Sequence, residues 1–382
     1  MGKVCLSLLA ISAILSTNVS AKNLSEALSS GKVSGDVSIY HESRNQDKEV
    51  SPYYSNTGYT MGSLGLNYKT AIYNGFSADI GFRAYSILHE DDKNFRTYHG
   101  KGDASERFYE EASSTALSKA YIAYENDKFD VKFGRQNLSS EWLDKLHDAV
   151  VINIKAFTNT GLQLIHSNAR GRVRVNDLRD MKDVNEDKGI YNVSLTYKLD
   201  QLRFNPYYLE APSSFSVIGG KVNYDFNVVN NKFGFMVHAM ETSEDSANKK
   251  DGELLEVKAY LTVAGYKATV GYAKTGKENG VGSAASYGDS FVPFEEGDQM
   301  YSPDSTTTYL QLSKSIASVS LTGLYGITEY GEYEKDELNI WVSYKATSNT
   351  KFSVGYAVMN EDEKDISMSD MTQLNAKVVY SF

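Results

Sequence analysis

The sequence predicts an all-β fold: a transmembrane antiparallel β-barrel of about 18 strands, with short periplasmic turns and long extracellular loops. Three observations predict it. First, in residues 373–382, Leu374, Ala376, Val378, Tyr380 and Phe382 share one face and Gln373, Asn375, Lys377 and Ser381 the other, with Val379 the exception. Alternation of period two is a strand with one face in grease and one in water. A strand that runs to an aromatic last residue must form an exposed sheet edge or close a ring. Second, the connectors alternate in length. Those at 70–73, 126–128, 199–201, 264–265, 315–318 and 346–350 are short; those at 90–114, 169–188, 275–304 and 361–370 are long and rich in charge, Gly and Ser. Barrels sort turns and loops this way, and a two-sheet sandwich has no reason to. Third, the 382 residues include 28 Tyr and 16 Phe with a mean hydropathy of −0.41. Beyond the N-terminal stretch no run of about 18 apolar residues can span a bilayer as a helix. The formal charge of −10 speaks against nucleic acid as a partner.

Residues 1–21 read as a secretory signal. Lys3 precedes an apolar run, 4–15, and Val19, Ser20 and Ala21 form a small-residue cleavage site. Cleavage after Ala21 removes the single Cys5 and leaves a net charge of −11, which is −10 less the +1 of Lys3. Residues 22–32 form a periplasmic leader, with a short helical turn capped by Gly31. Residues 33–382 are the barrel.

Its predicted strands are 33–43, 57–70, 73–88, 115–126, 128–136, 148–156, 157–168, 189–199, 201–210, 214–226, 231–242, 253–263, 265–275, 305–316, 318–329, 336–346, 350–360 and 371–382. The turn at 156–157 is thin, and Pro206 interrupts a strand because it lacks an N–H. Aromatic residues flank the short turns in the outward register: Tyr68 and Phe76, Tyr124 and Phe129, Tyr197 and Phe204, Tyr224 and Phe233, Tyr344 and Phe352, Tyr380 and Phe382. That is the pattern of a girdle at headgroup level.

The inward register is basic. It holds Arg83, Lys119, Lys132, Lys155, Arg203, Lys221 and Lys258, with Arg135 at the outer end of its strand. Lys69, Lys198, Lys267, Lys345, Lys351 and Lys377 share it. Against these stand Asp79, Asp130, Asp225 and Glu256, and the other acids fall in loops such as Glu90-Asp91-Asp92 and Glu361-Asp362-Glu363. Like-signed groups along a low-dielectric wall select the sign of what passes, so the expected cargo is small, hydrophilic and anionic or carboxylate-bearing. In the third outer loop, Trp142 and Leu143 mix with Glu141, Asp144, Lys145 and Asp148. An amphipathic loop seeks cover for its apolar side, and folding inward would constrict the opening. The arginines at 170, 172, 174 and 179 are expected in a solvated loop.

The leader at 24–37, Leu117-Ser-Lys-Ala-Tyr-Ile-Ala-Tyr, Val131-Lys-Phe-Gly-Arg-Gln-Asn-Leu, Phe157-Thr-Asn-Thr-Gly and the terminal Tyr380-Ser-Phe resemble the OprD-like outer-membrane porins. The resemblance implies an 18-stranded barrel in the bacterial outer membrane, a pore narrowed by the third outer loop, and a basic ladder that guides carboxylate-bearing solutes. Gly134-Arg135-Gln136 matches the family's approach to that loop; downstream, His147-Asp148 replaces the usual aspartate–arginine pattern. Expected partners are outer-membrane lipid, small solutes and the barrel-assembly machinery, reached through the last strand and Phe382, with the barrel a monomer or a homotrimer. No cofactor or metal is expected. The six histidines are scattered, and no Gly-x-Ser-x-Gly elbow or phosphate loop is present, so an enzyme is not the reading. The rival class is a non-conducting adhesive or structural barrel, for which the long acidic loops would serve.

Overall fold

The computed structural model describes residues 20–47, 56–287, 291–362 and 370–382. Residues 1–19, most of the stretch expected to be a secretory signal, and the acid Glu363 lie outside them. The chain forms one antiparallel ring. Its first strand, β1 (Lys32–Gln46), pairs with β2 (Thr57–Lys69) on one side and with β18 (Met371–Ser381) on the other. Gly35 and Phe382 exchange two backbone bonds of 2.9 Å at the seam. Between them run β3 (Phe76–Glu90), β4 (Thr115–Glu125), β5 (Phe129–Asn137), β6 (Leu146–Phe157), β7 (Thr160–Arg174), β8 (Ile190–Leu199), β9 (Leu202–Ala211) and β10 (Phe215–Val228). The ring continues through β11 (Asn231–Glu244), β12 (Gly252–Val263), β13 (Tyr266–Thr275), β14 (Thr306–Ile316), β15 (Val319–Tyr330), β16 (Tyr333–Lys345) and β17 (Thr350–Glu361). Closure gives every wall strand a partner on each side, which a lipid environment demands because no water is there to satisfy a bare edge.

The period-two pattern is visible in burial. In β1, Val37 and Ile39 are exposed while Ser38, Tyr40, Glu42 and Arg44 are buried. Exposed Leu64, Leu66, Ile80, Phe82, Leu310, Leu312, Leu321 and Val354 continue the apolar face around the ring. Two-residue turns at 229–230, 264–265 and 317–318 put Val229, Ala264 and Ala317 at positive φ, because only such turns match the twist of paired strands. Near the tight turns the outward rings touch, Phe76 with Tyr124 at 4.8 Å and Tyr124 with Phe129 at 5.6 Å between centroids.

Several local expectations change. The sixth and seventh strands are longer, and they turn at 158–159 rather than at 156–157. Pro206 does not break its strand: it sits inside β9 opposite Gly220. Its other side faces a gap in the ladder between Ser194–Tyr207 and Tyr197–Phe204, where the Asn205 amide bonds Thr196 Oγ1 at 2.5 Å in place of a backbone bond. The leader helix is Leu24–Ser29, and its C-cap is Ser30 rather than Gly31. Asn23 caps its start by accepting from the Glu26 N–H at 2.9 Å.

The outer half of the barrel is filled. The inward Tyr207, Leu209, Val217, Met240, Tyr309 and Leu324 share one apolar core with Trp142 and Leu143 of the third loop and with Val281, Phe291, Phe294 and Met300 of the loop at 276–305. A second core joins Tyr40, Tyr59, Met61 and Tyr85 of β1–β3 to Ala104 and Phe108 of the loop at 91–114 and to Leu178. Leu178 belongs to an extra strand, Asp177–Asp183, which doubles back on the outer end of β7.

Candidate functional site

The third outer loop folds inward. Trp142 is 0% exposed, at φ 63°, and its indole N–H donates to Tyr207 Oη at 3.0 Å. Tyr207 Oη lies 2.8 Å from His238 Nε2, so a polar chain ties the loop to the wall. Glu141 accepts two bonds from Lys221 Nζ, at 2.7 and 2.8 Å. The Asp144 carbonyl accepts from Arg174 at 3.1 Å, and the Lys145 carbonyl accepts from the Leu138 N–H at 2.9 Å to close the loop. Phe291 meets Trp142 edge-on at 5.9 Å between ring centroids. The loop's apolar side finds its cover in the lumen, against another inward loop.

Alternation places Arg83, Lys119, Lys132, Lys155, Arg203, Lys221 and Lys258 on the inner wall, but most are not free charges. Arg83 donates to Asp36 at 2.9 Å and to Ser63 at 2.8 Å. Lys155 meets Asp130 at 2.7 Å, Lys258 meets Glu256 at 2.5 Å, and Lys119 lies 3.9 Å from Asp79. Among the described residues, Lys132 and Arg203 have no carboxylate ion-pair partner; Lys132 sits 5.6 Å from the centre of the Tyr121 ring.

Two assignments are corrected. Arg135 is one residue out of phase with Lys132 and shares the register of Phe133, which is 66% exposed. Asp148 belongs to β6 rather than to the loop, and it holds Arg135 in two bonds of 2.8 Å at the outer end of the outward face. Arg135 is therefore not pore-lining, and Asp148 is not part of the constriction.

Two inward features escaped the sequence reading. A shift in pairing between Asp148 and Ala149 turns Arg170 to face His147 across the strands, so Arg170, Arg172 and Arg174 follow one another on the inward side. They are not in a solvated loop. Arg172 and Arg179 share Asp177, at 2.6 and 3.3 Å. Arg170 stacks 4.8 Å from the centre of the Tyr287 ring. The run of alternate arginines was the available signal; the bulge that aims them was not. The second feature is a buried acidic belt. Glu42, Glu337 and Glu361 lie on the inner wall beside Arg44 and Lys335; Glu42 and Glu337 fall within the strands expected at 33–43 and 336–346, and Glu361 one residue beyond that at 350–360. The statement that inward acids are few fails for this outer half.

A family model described as "Putative outer membrane protein" matches residues 7–277. Solved structures of similar fold include Acinetobacter baumannii OccAB4, with 12% identity, TM-score 0.77 and coverage of 92% of this chain and 98% of that one. Pseudomonas aeruginosa OccK9 (OpdG) is similar at 10% identity and TM-score 0.78, over 93% and 99% of the two chains. Pseudomonas aeruginosa OpdK, solved with vanillate, is similar at 11% identity and TM-score 0.71, over 93% and 99%. No curated protein sequence matches. Matched over more than half its length, the chain belongs to this outer-membrane protein family, and its barrel has the fold of the OccAB4 and OccK9 structures.

Proposed function

We propose that the barrel is a water-filled diffusion channel for small hydrophilic solutes, favouring anionic or carboxylate-bearing ones. The observation that carries this is the inward row of Arg170, Arg172 and Arg174 at the outer mouth, where Arg172 and Arg179 share Asp177. Lys132 and Arg203 continue a positive lining toward the tight-turn end. A carboxylate leaving bulk water would trade its hydration for guanidinium contacts in a region where water screens them less. Glu141, Trp142, Asp144 and Lys145 form the constriction, held by Lys221 and Tyr207. That OpdK was solved with vanillate, a carboxylate, agrees with this cargo class. The last strand, ending in Phe382, is the element we expect the barrel-assembly machinery to recognise; the barrel acts as a monomer or a homotrimer.

Reversal potential across a planar bilayer under a salt gradient tests the reading. Anion preference that falls in Arg172→Ala supports it, and clear cation preference ends it. The inward packing of Trp142, Phe291 and Phe294 favours a second reading, a non-conducting structural barrel. Stable ohmic steps would exclude that reading, and silence at every voltage would support it.

A further inference from the structure

Two inward loops meet the wall at one polar point. Glu296, in the loop at 276–305, accepts from Arg44 of β1 at 2.7 Å and from Arg107 of the loop at 91–114 at 2.8 Å, both on Oε1. Arg44 also binds Glu106 at 2.8 Å, and Arg107 lies 3.4 Å from Glu42. Tyr40 donates to Glu42 at 2.5 Å and Tyr59 donates to it at 3.1 Å, which fixes the belt's far side. Phe294 of the larger apolar core lies two residues before Glu296, and Phe108 of the second core follows Arg107. Burial pushes the Glu296 carboxyl up, but Arg44 and Arg107 outweigh it and keep the acid below its usual range, so it is ionised.

Each loop also has anchors of its own, and the Glu296–Arg107 pair is the link between them. The Glu296 backbone is pinned independently: its N–H donates to Glu337 at 3.2 Å, its carbonyl accepts from Lys335, and the Glu295 N–H donates to Glu337 at 2.9 Å. The loop at 91–114 is likewise held beside Arg107: Arg44 binds Glu106, the Leu178 N–H donates to the Arg107 carbonyl at 3.0 Å, and the Tyr109 N–H donates to the Leu178 carbonyl at 3.2 Å. We propose that Glu296 is a positioning residue: it clasps the loop at 91–114 against the loop at 276–305 across the lumen and so sets the width of the opening. The width claim rests on the channel reading; the clasp itself does not.

Glu296→Gln keeps the volume and removes the charge. Hydrogen exchange on the folded barrel in detergent micelles reads the clasp without conductance. Amides at 103–108 are expected to exchange severalfold faster than in the unaltered barrel. Arg107→Gln removes the same link from the loop side and is expected to give the same change. Glu332→Gln, at an exposed turn, is expected to leave that segment unchanged. Unchanged exchange at 103–108 in both clasp variants overturns the proposal. Should Glu296→Gln fail to fold by heat-shifted gel mobility, Arg107→Gln decides alone. In bilayers the clasp variants are expected to raise single-channel conductance. Loosened loops with no current in any variant would sink the channel reading and leave the clasp standing.

Discussion

Trp142 shows what one side chain carries here. It is held by a hydrogen bond to Tyr207, an edge-on ring at Phe291 and a left-handed backbone turn. Truncating a buried aromatic of this size costs about 3–5 kcal/mol of local packing. Trp142→Ala is therefore expected to leave the strands paired, free the third loop and raise single-channel conductance; an unchanged conductance would refute its place in the constriction. His99 carries a pH dependence. It stacks on Tyr109 at 3.8 Å between centroids, and burial, with Arg179 nearby, lowers its pKa to about 4. An unfolded histidine titrates near ~6.5, so the loop takes up fewer protons folded than unfolded in between. The stabilising contribution is intact above that upper value and is lost as pH falls toward about 4. Protection of the amides in the loop at 91–114, taken relative to the intrinsic exchange rate at each pH, is expected to fall over that window, and His99→Phe should flatten the dependence. At this scale residue type was legible and partnership was not: Arg83, Lys221 and Lys258 read as inward charges, but Asp36 and Glu141, which neutralise two of them, lie 47 and 80 residues away along the chain.

Strands were the most legible elements, because period two is written in adjacent residues and lipid makes the penalty for the wrong phase large. Their errors have local causes. At Pro206 the missing N–H falls at a gap in the ladder, so the strand survives. At Gly134 the backbone takes φ 123°, and an added Cβ would lie 2.2 Å from the Ala120 carbonyl oxygen. Gly134→Ala is expected to destabilise the barrel by roughly 1–3 kcal/mol, through strain at a position compatible with glycine alone. A shift of the urea midpoint in lipid vesicles measures it, and a neutral result would show that the β4–β5 edge relaxes freely. The inward loops were harder to read. Their apolar residues have no period, and their cover comes from strands distant in sequence, as with Phe291 against Trp142.

For the whole molecule, closure is the property that matters. The last strand completes two ladders at once, with β1 and with β17. Deleting residues 371–382 would leave both neighbours with unpaired backbone groups facing hydrocarbon, each costing several kcal/mol. Such a chain is expected to lose heat-shifted gel mobility and membrane insertion together; a truncated barrel that still inserted would refute this account of closure. The sequence by itself determined the wall: its class, its strand number, its alternation and the girdle, all of which follow from local periodicity and from the parity of connector lengths. Only the tertiary structure decided what fills the wall. The folding-in of four outer segments, the pairing of inward lysines, the turning of Arg170, Arg172 and Arg174 toward the mouth, and the clasp at Glu296 depend on contacts between residues up to hundreds of positions apart. No short-range pattern encodes those contacts, because each is set by which strands the closed ring happens to bring face to face.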